Sequence, residues 1–306
     1  MSLVTLYGSS LSLFTGKARS YLIKSDTAYK ETTPTTKYFR DSVLSKTGGR
    51  QSIPTIETAD GEVIRDGTAI IDHFENTSGN EFSPKTGKQK ILSLLFDVIG
   101  MEGLLRPAMH YRWNFPEQNL DFLTFHFESM MPEHLDRKAT AKKNMDQMRN
   151  AGRMFGAVPE TFKLVETLYG EFLEKFDAHL ATVPYLLGGK PCIGDFGMIA
   201  PLFGHLGRDP EPLRIMQKNA VHAFRWVERM NRPELDVGEF KIQDGLYLAD
   251  DKIPDTLIDL LKHIAIDFIP ETLAAAETIN QWIDQQADLA PNTIAERGVG
   301  MASFEV

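Results

Sequence analysis

The sequence predicts a small mixed α/β domain followed by an all-helical one, and three observations carry that prediction. Over residues 1–77 the elements run strand, helix, strand, helix, strand, strand, helix. Alternation that ends in a hairpin makes a mixed sheet with helices packed on it. Residues 78–88, "SGNEFSPKTGK", have the composition of a linker. Beyond them almost every segment carries a helical period. The expected division is therefore 1–77, a linker 78–88, a helical domain 89–235 and a helical extension with a tail over 236–306.

Residues 3–7, "LVTLY", are a short strand rich in β-formers. The loop "GSSLS" leads into "LFTGKARSYLIKS", where Phe14, Ala18, Tyr21 and Leu22 share a helical face and Lys17, Arg19 and Lys24 lie elsewhere. A second strand is expected over residues 28–32 and a short helix over 37–45. "PTIET", opened by Ile53-Pro54, and "VIR" form a hairpin around Asp60-Gly61. "TAIIDHFENT" follows as a helix with Ala69, Ile70 and Phe74 on one side.

In the second region, residues 91–113 read as a long helix or a helix pair, bent or broken near Pro107. Residues 161–183 are the best amphipathic helix in the chain. "IGDFGMIAPLFGHL" is apolar all round and should be buried on every side. "NAVHAFRWVERM" follows, then two helical patterns, "TLIDLLKHIAI" and "ETLAAAETINQWIDQQ", and a polar tail.

Composition excludes several function classes. The 306 residues are 42% apolar and 25% charged, with a formal charge of -9. That balance argues against a nucleic-acid surface. A single cysteine, Cys192, allows no intramolecular disulfide. No apolar run reaches a membrane span, and the first residues lack the pattern of a signal peptide, so a cytoplasmic protein is expected. The eight histidines show no metal-ligand spacing, and no metal is expected. No phosphate-binding glycine motif occurs.

Two features suggest a binding site. Proline is tolerated at a strand start because its missing N–H is no loss there. Asp66-Gly67-Thr68 stands at the mouth of a helix, where free N–H groups and the positive dipole end attract a carboxylate. A ligand bearing both carboxylate and ammonium would also use Asp66. The plainer reading is that Asp66 or Thr68 simply caps the helix.

Ile53-Pro54 before a strand, hairpin and "RDGTAIIDHFE", together with "YLLGGKPCIGDFGMIAPLFGHL", resembles the glutathione transferase superfamily over residues 3–235. The resemblance implies a thioredoxin-like N-terminal domain with a mixed four-stranded sheet, then an all-α domain. It implies a cis Ile53-Pro54 bond, so that the N–H and C=O of Ile53 pair with glutathione like an added strand. The γ-glutamyl head would sit at Asp66, Gly67 and Thr68. Many members carry serine where this chain has Gly67, so one hydroxyl is lost unless Thr68 supplies it. A hydroxyl at the first loop would stabilise the thiolate of glutathione, whose unperturbed pKa is about 8.5. Ser12 is the first candidate. Ser9 and Ser10 compete, Tyr7 stands where tyrosine-type members place theirs, and Ser12 is equally suited to capping the first helix.

The resemblance also places a pocket for an apolar second substrate near Tyr111, Arg112 and Trp113. An aromatic domain contact is the alternative there. Cys192 and Asp195 match a capping-box position. The implied activity is activation of glutathione, as co-substrate, for conjugation to a small apolar electrophile, in a homodimer without nucleic-acid or membrane partners. The alternatives are a non-catalytic binding protein and a glutathione-dependent isomerase or dehalogenase. From the length of the chain alone, residues 292–306 are expected either to close over the site or to lie on the surface.

Overall fold

A computed structural model describes residues 3–49, 52–233, 239–240, 245–286 and 288–289. The expected lid, 292–306, lies outside the described residues.

The first region is a thioredoxin-like unit. Strand β1 (Val4–Tyr7) lies beside β2 (Tyr29–Thr32), β3 (Thr55–Glu57) and β4 (Val63–Arg65) in the order β2-β1-β3-β4. β1 pairs with β2 in parallel, Val4 opposite Tyr29, and with β3 antiparallel, Leu6 opposite Ile56. The β3–β4 hairpin turns through Gly61 at φ 84°, a conformation glycine adopts without a Cβ penalty. Strand alternation then divides the side chains. Val4, Leu6 and Ile56 face Ala18 and Leu22 of α1 (Leu13–Lys24) and Ile70 of α2 (Gly67–Ser78). Tyr7 faces the other way, against Phe39 and Val43 in the short helical turns of residues 39–47.

The helical region comprises α3 (Gly87–Val98), α4 (Leu105–Trp113), α5 (Pro116–Met130), α6 (Arg137–Met154), α7 (Phe162–Leu180), α8 (Ile193–Gly204), α9 (Pro210–Asn219), α10 (Val221–Met230) and α11 (Asp255–Asp284). The break expected near Pro107 lies earlier. Residues 99–103 form a wide π turn, and Pro107 sits harmlessly in the first turn of α4, where no N–H is required. The cause is close packing. A Cβ on Gly100 would lie 2.3 Å from the Gly197 carbonyl, so α8 and the turn after α3 touch main chain to main chain. The two helical patterns near the C-terminus are also one helix of 30 residues, with Pro270 inside it.

As its composition predicts, α8 is buried along almost its whole length. Its start is a capping box: the Cys192 sulfur accepts from the main chain of Asp195, and the Asp195 carboxylate accepts from Cys192 N at 2.9 Å. One core runs through both regions, from Tyr21 and Ile71 to Phe96, Phe176, Phe196 and Trp226. Tyr21 meets the edge of Phe196 at 5.2 Å. A buried ion pair crosses the same boundary: Lys17 of α1 meets Asp97 of α3 at 2.7 Å. A second, within the helical region, joins Arg112 of α4 to Asp209 at 2.6 Å.

Candidate functional site

The end of the sheet collects the residues proposed for a peptide seat. The Ile53-Pro54 bond is cis. Asp66 N–H donates to Pro54 O at 3.1 Å, which ties the head of α2 to the start of β3. Neither the N–H nor the C=O of half-buried Ile53 has a hydrogen-bond partner among the described residues. A main chain left open in this way can accept an added strand.

At the head of α2, Asp66 holds φ at 87° and one carboxylate oxygen accepts from Thr68 N at 2.8 Å and Ala69 N at 3.3 Å. The aspartate therefore caps the helix. Its other oxygen stays exposed, so capping leaves a charge free for an ammonium group. Gly67 N–H is not taken up by the cap, and it points from the positive end of the helix.

Beneath this turn runs a residue whose role the sequence did not reveal. Lys17 is fully buried, and its Nζ donates to Thr68 Oγ1 at 2.8 Å as well as to Asp97. A Cβ at position 67 would approach Lys17 Cδ to 3.3 Å, tighter than ordinary contact. Glycine at 67 thus makes room for the lysine stem. The Thr68 oxygen accepts from an ammonium, so its own O–H remains available as a donor. Burial raises the pKa of Asp97, and Lys17 opposes that rise. Helical spacing alone put Lys17 off the apolar face, and nothing in sequence links it to a partner 80 positions away.

The four hydroxyl candidates have different surroundings. Ser12 caps α1 and accepts from Thr15 N at 3.2 Å, which leaves its proton free to donate. Ser9 accepts from Leu11 N at 3.2 Å and its hydroxyl is turned to the Met130 sulfur. Ser10 makes no side-chain hydrogen bond among the described residues. Tyr7 gives its proton to Glu57 at 2.9 Å, and Tyr38 gives one to the other oxygen of the same carboxylate at 3.0 Å. Burial first, then that carboxylate, push the Tyr7 pKa up. Its phenol is thus spent on the sheet face opposite α1.

Tyr111, Arg112 and Trp113 are all buried. Tyr111 stacks on Phe115 at 5.3 Å within the main core. Arg112 makes four hydrogen bonds: to Asp209 at 2.6 and 2.9 Å, to Leu11 O at 2.9 Å and to Gly204 O at 2.8 Å. It clamps the β1–α1 loop onto the helical region. Trp113 packs in a cluster with Leu11, Met109 and Phe127. None of the three lines a cavity of about 420 Å³ that opens between α4, α7 and α11, walled by Val165, Leu168, Phe172, Ile264 and Phe268. That cavity receives no residue from the sheet region. Its wall includes Tyr169, whose buried hydroxyl has no hydrogen-bond partner among the described residues.

Among the described residues no group of three or more histidine, cysteine or acidic side chains is placed to hold a metal ion. No helix among them is long and apolar enough to cross a membrane.

The architecture is a thioredoxin-like sheet with an open main chain at one end, packed on a helical region that contains the capped α8, and the first of these regions has a family match. Residues 6–82 match the family described as the N-terminal domain of glutathione S-transferase. Residues 6–82 therefore belong with the glutathione S-transferase N-terminal domains. Among solved structures it is similar to a GST-like protein from Pseudomonas syringae, 16% identical, with 97% of this chain and 80% of that one covered and a TM-score of 0.49. It is also similar to a glutathione S-transferase from Rhodospirillum rubrum F11 (15% identical, 84% and 99% covered, TM-score 0.45). A third is the theta class enzyme from Xanthomonas axonopodis pv. citri, solved with glutathione bound (19% identical, 75% and 92% covered, TM-score 0.40). No curated protein matches the chain.

Proposed function

We propose that the chain binds glutathione at the Ile53–Pro54 and Asp66–Thr68 seat and transfers it, as thiolate, to a small apolar electrophile in the cytoplasm. The observation that carries this reading is the bond from Asp66 N to Pro54 O, which sets the open main chain of Ile53 beside the head of α2. The peptide pairs with Ile53. Its γ-glutamyl carboxylate meets Gly67 N–H and the Thr68 hydroxyl, and its ammonium meets the exposed oxygen of Asp66. Lys17 sharpens the Thr68 donor from behind.

Ser12 donates to the sulfur, and the start of α1 adds its dipole; both lower the thiol pKa. Tyr7 serves instead to orient Glu57. Arg112 and Trp113 act on the second substrate by fixing Leu11 and the loop beside it, and Tyr111 supports α4 from the main core.

The same reading includes a homodimer. Ile91, Leu94, Leu95 and Val98 form a stripe at helical spacing on α3, and Ile91 is 68% exposed. Such a stripe is wide enough to seek a partner surface.

Retention on immobilised glutathione, followed by turnover of a chlorinated nitroaromatic, tests the whole. Ser12→Ala is expected to cut turnover about tenfold to a hundredfold, the worth of one hydrogen bond to a charged group. Tyr7→Phe should leave it near the parent rate. Full rate in the Ser12 variant removes that residue from the chemistry, and no retention at all removes the seat.

A further inference from the structure

A pocket of about 530 Å³ opens beside the β1–α1 loop on its other flank. β1 has β3 on one side and β2 on the other. The glutathione seat belongs to the β3 side. This pocket takes Thr32 and Thr33 from the end of β2, Ser9 and Ser10 from the loop, and Arg208 from the α8–α9 connection.

The charges there do not cancel. Arg19 lines the pocket and bonds both oxygens of Glu31, at 2.7 Å each. Nearby Arg112 is matched by Asp209. Arg208 has no such match: its guanidinium makes no hydrogen bond or ion pair among the described residues, and its Nε is buried without an acceptor. Buried donors are almost always satisfied, and a charged one left open calls for an explanation. The Arg208 guanidinium carbon lies 5.9 Å from the ring centres of both Phe122 and Phe203. These contacts hold the planar group in place while leaving its edge donors unused. Burial first, then Arg19 and Arg112, lower the Arg208 pKa, and Asp209 and Glu31 offset them only in part. An anion in the pocket would add to that offset.

We propose that this pocket binds a small organic monocarboxylate, gripped by Arg208 and Ser10, with its apolar body against Ile23, Met130 and Phe203. The net charge of the lining, one unmatched arginine after Arg19 and Glu31 cancel, suits a single negative charge. The planar fork of arginine suits a planar carboxylate. A phosphate dianion would meet the Glu31 carboxylate with no second free cation among the described lining residues to offset it. The proposal does not rest on the glutathione reading, and its test contains no glutathione.

The test compares benzoate, benzamide and inorganic phosphate as ligands of the full chain, by calorimetry and by a crystal soaked with a bromobenzoate. Benzoate is expected to bind at least about tenfold more tightly than benzamide, and Arg208→Met to weaken benzoate about tenfold to a hundredfold while leaving benzamide unchanged. Arg208→Lys should fall between the two. Equal binding of acid and amide, no benzoate binding at tens of millimolar, or unchanged affinity in the methionine variant overturns the proposal. So does tighter binding of phosphate, or bromine density away from Arg208. Where the methionine variant does not fold, the acid-to-amide ratio and the soaked crystal decide on the unaltered protein.

Discussion

Two helix starts in this molecule use the same device and reach opposite ends. At α2, Asp66 accepts from the N–H groups of Thr68 and Ala69 and stands exposed to solvent. At α8, Asp195 accepts from Cys192 N at 2.9 Å, Leu186 N at 3.2 Å and Trp226 Nε1 at 3.0 Å, and is fully buried. Both are acids beside a positive helix end. One carboxylate keeps an exposed oxygen, and the other has consumed its capacity inside the protein. What separates an open helix end from a structural joint is therefore the cover above the helix end, not the helix end itself.

The sharpest way to break this contrast is to remove each acid. Asp195→Ala strands three buried donors and is expected to cost about 3–5 kcal/mol of unfolding free energy, read from urea denaturation. Asp66→Ala should cost only about 0.5–2 kcal/mol, the value of a cap, yet abolish retention on immobilised glutathione. Equal stability losses, or undiminished retention in the Asp66 variant, would erase the distinction.

A smaller effect should appear with acid. His179 of α7 holds Leu186 O at 3.0 Å and Thr256 at 2.9 Å, on the sealed side of the molecule. Burial lowers its pKa from 6.5 to about 4. The folded state thus takes up its proton later than the unfolded state does. The stability tied to neutral His179 is present above about pH 6.5 and is lost as pH falls towards 4, amounting to roughly 3 kcal/mol. Urea midpoints at pH 7.5 and pH 5 measure the loss. His179→Gln, which keeps hydrogen-bonding capacity without a titrating ring, should flatten that dependence.

The smallest effect sharpens the comparison from the other direction. Cys192 caps α8 through sulfur, a weak acceptor. Cys192→Ser restores the better capping oxygen but buries a more polar group, so stability should change by less than about 1 kcal/mol in either direction. A loss as large as that of Asp195→Ala would show that the thiol does more than cap.

Much of this layout was legible in the chain because it rests on local rules. Strand alternation, the Asp60-Gly61 hairpin and the all-apolar stretch of α8 each announce themselves within a few residues. The position of Asp66 at a helix start was visible for the same reason. What stayed hidden depends on residues far apart in sequence. The break after α3 is set by Gly100 against Gly197, and proline at 107 was a misleading local cue. Lys17 looked like a surface cation until Asp97, 80 positions away, accounted for its burial. For Arg112 the sequence left a pocket role and a domain contact both open, since its partners Leu11 and Asp209 lie 101 and 97 positions distant. Long-range charge pairs leave no period behind.

The Arg112 clamp has one more consequence. It grips the first loop through a peptide oxygen, at Leu11, rather than through any side chain. The height of that loop above the sheet is therefore set independently of which amino acids occupy positions 9, 10 and 12. A scaffold held in this manner can exchange the side chains at those three positions by single substitutions, without rebuilding its frame.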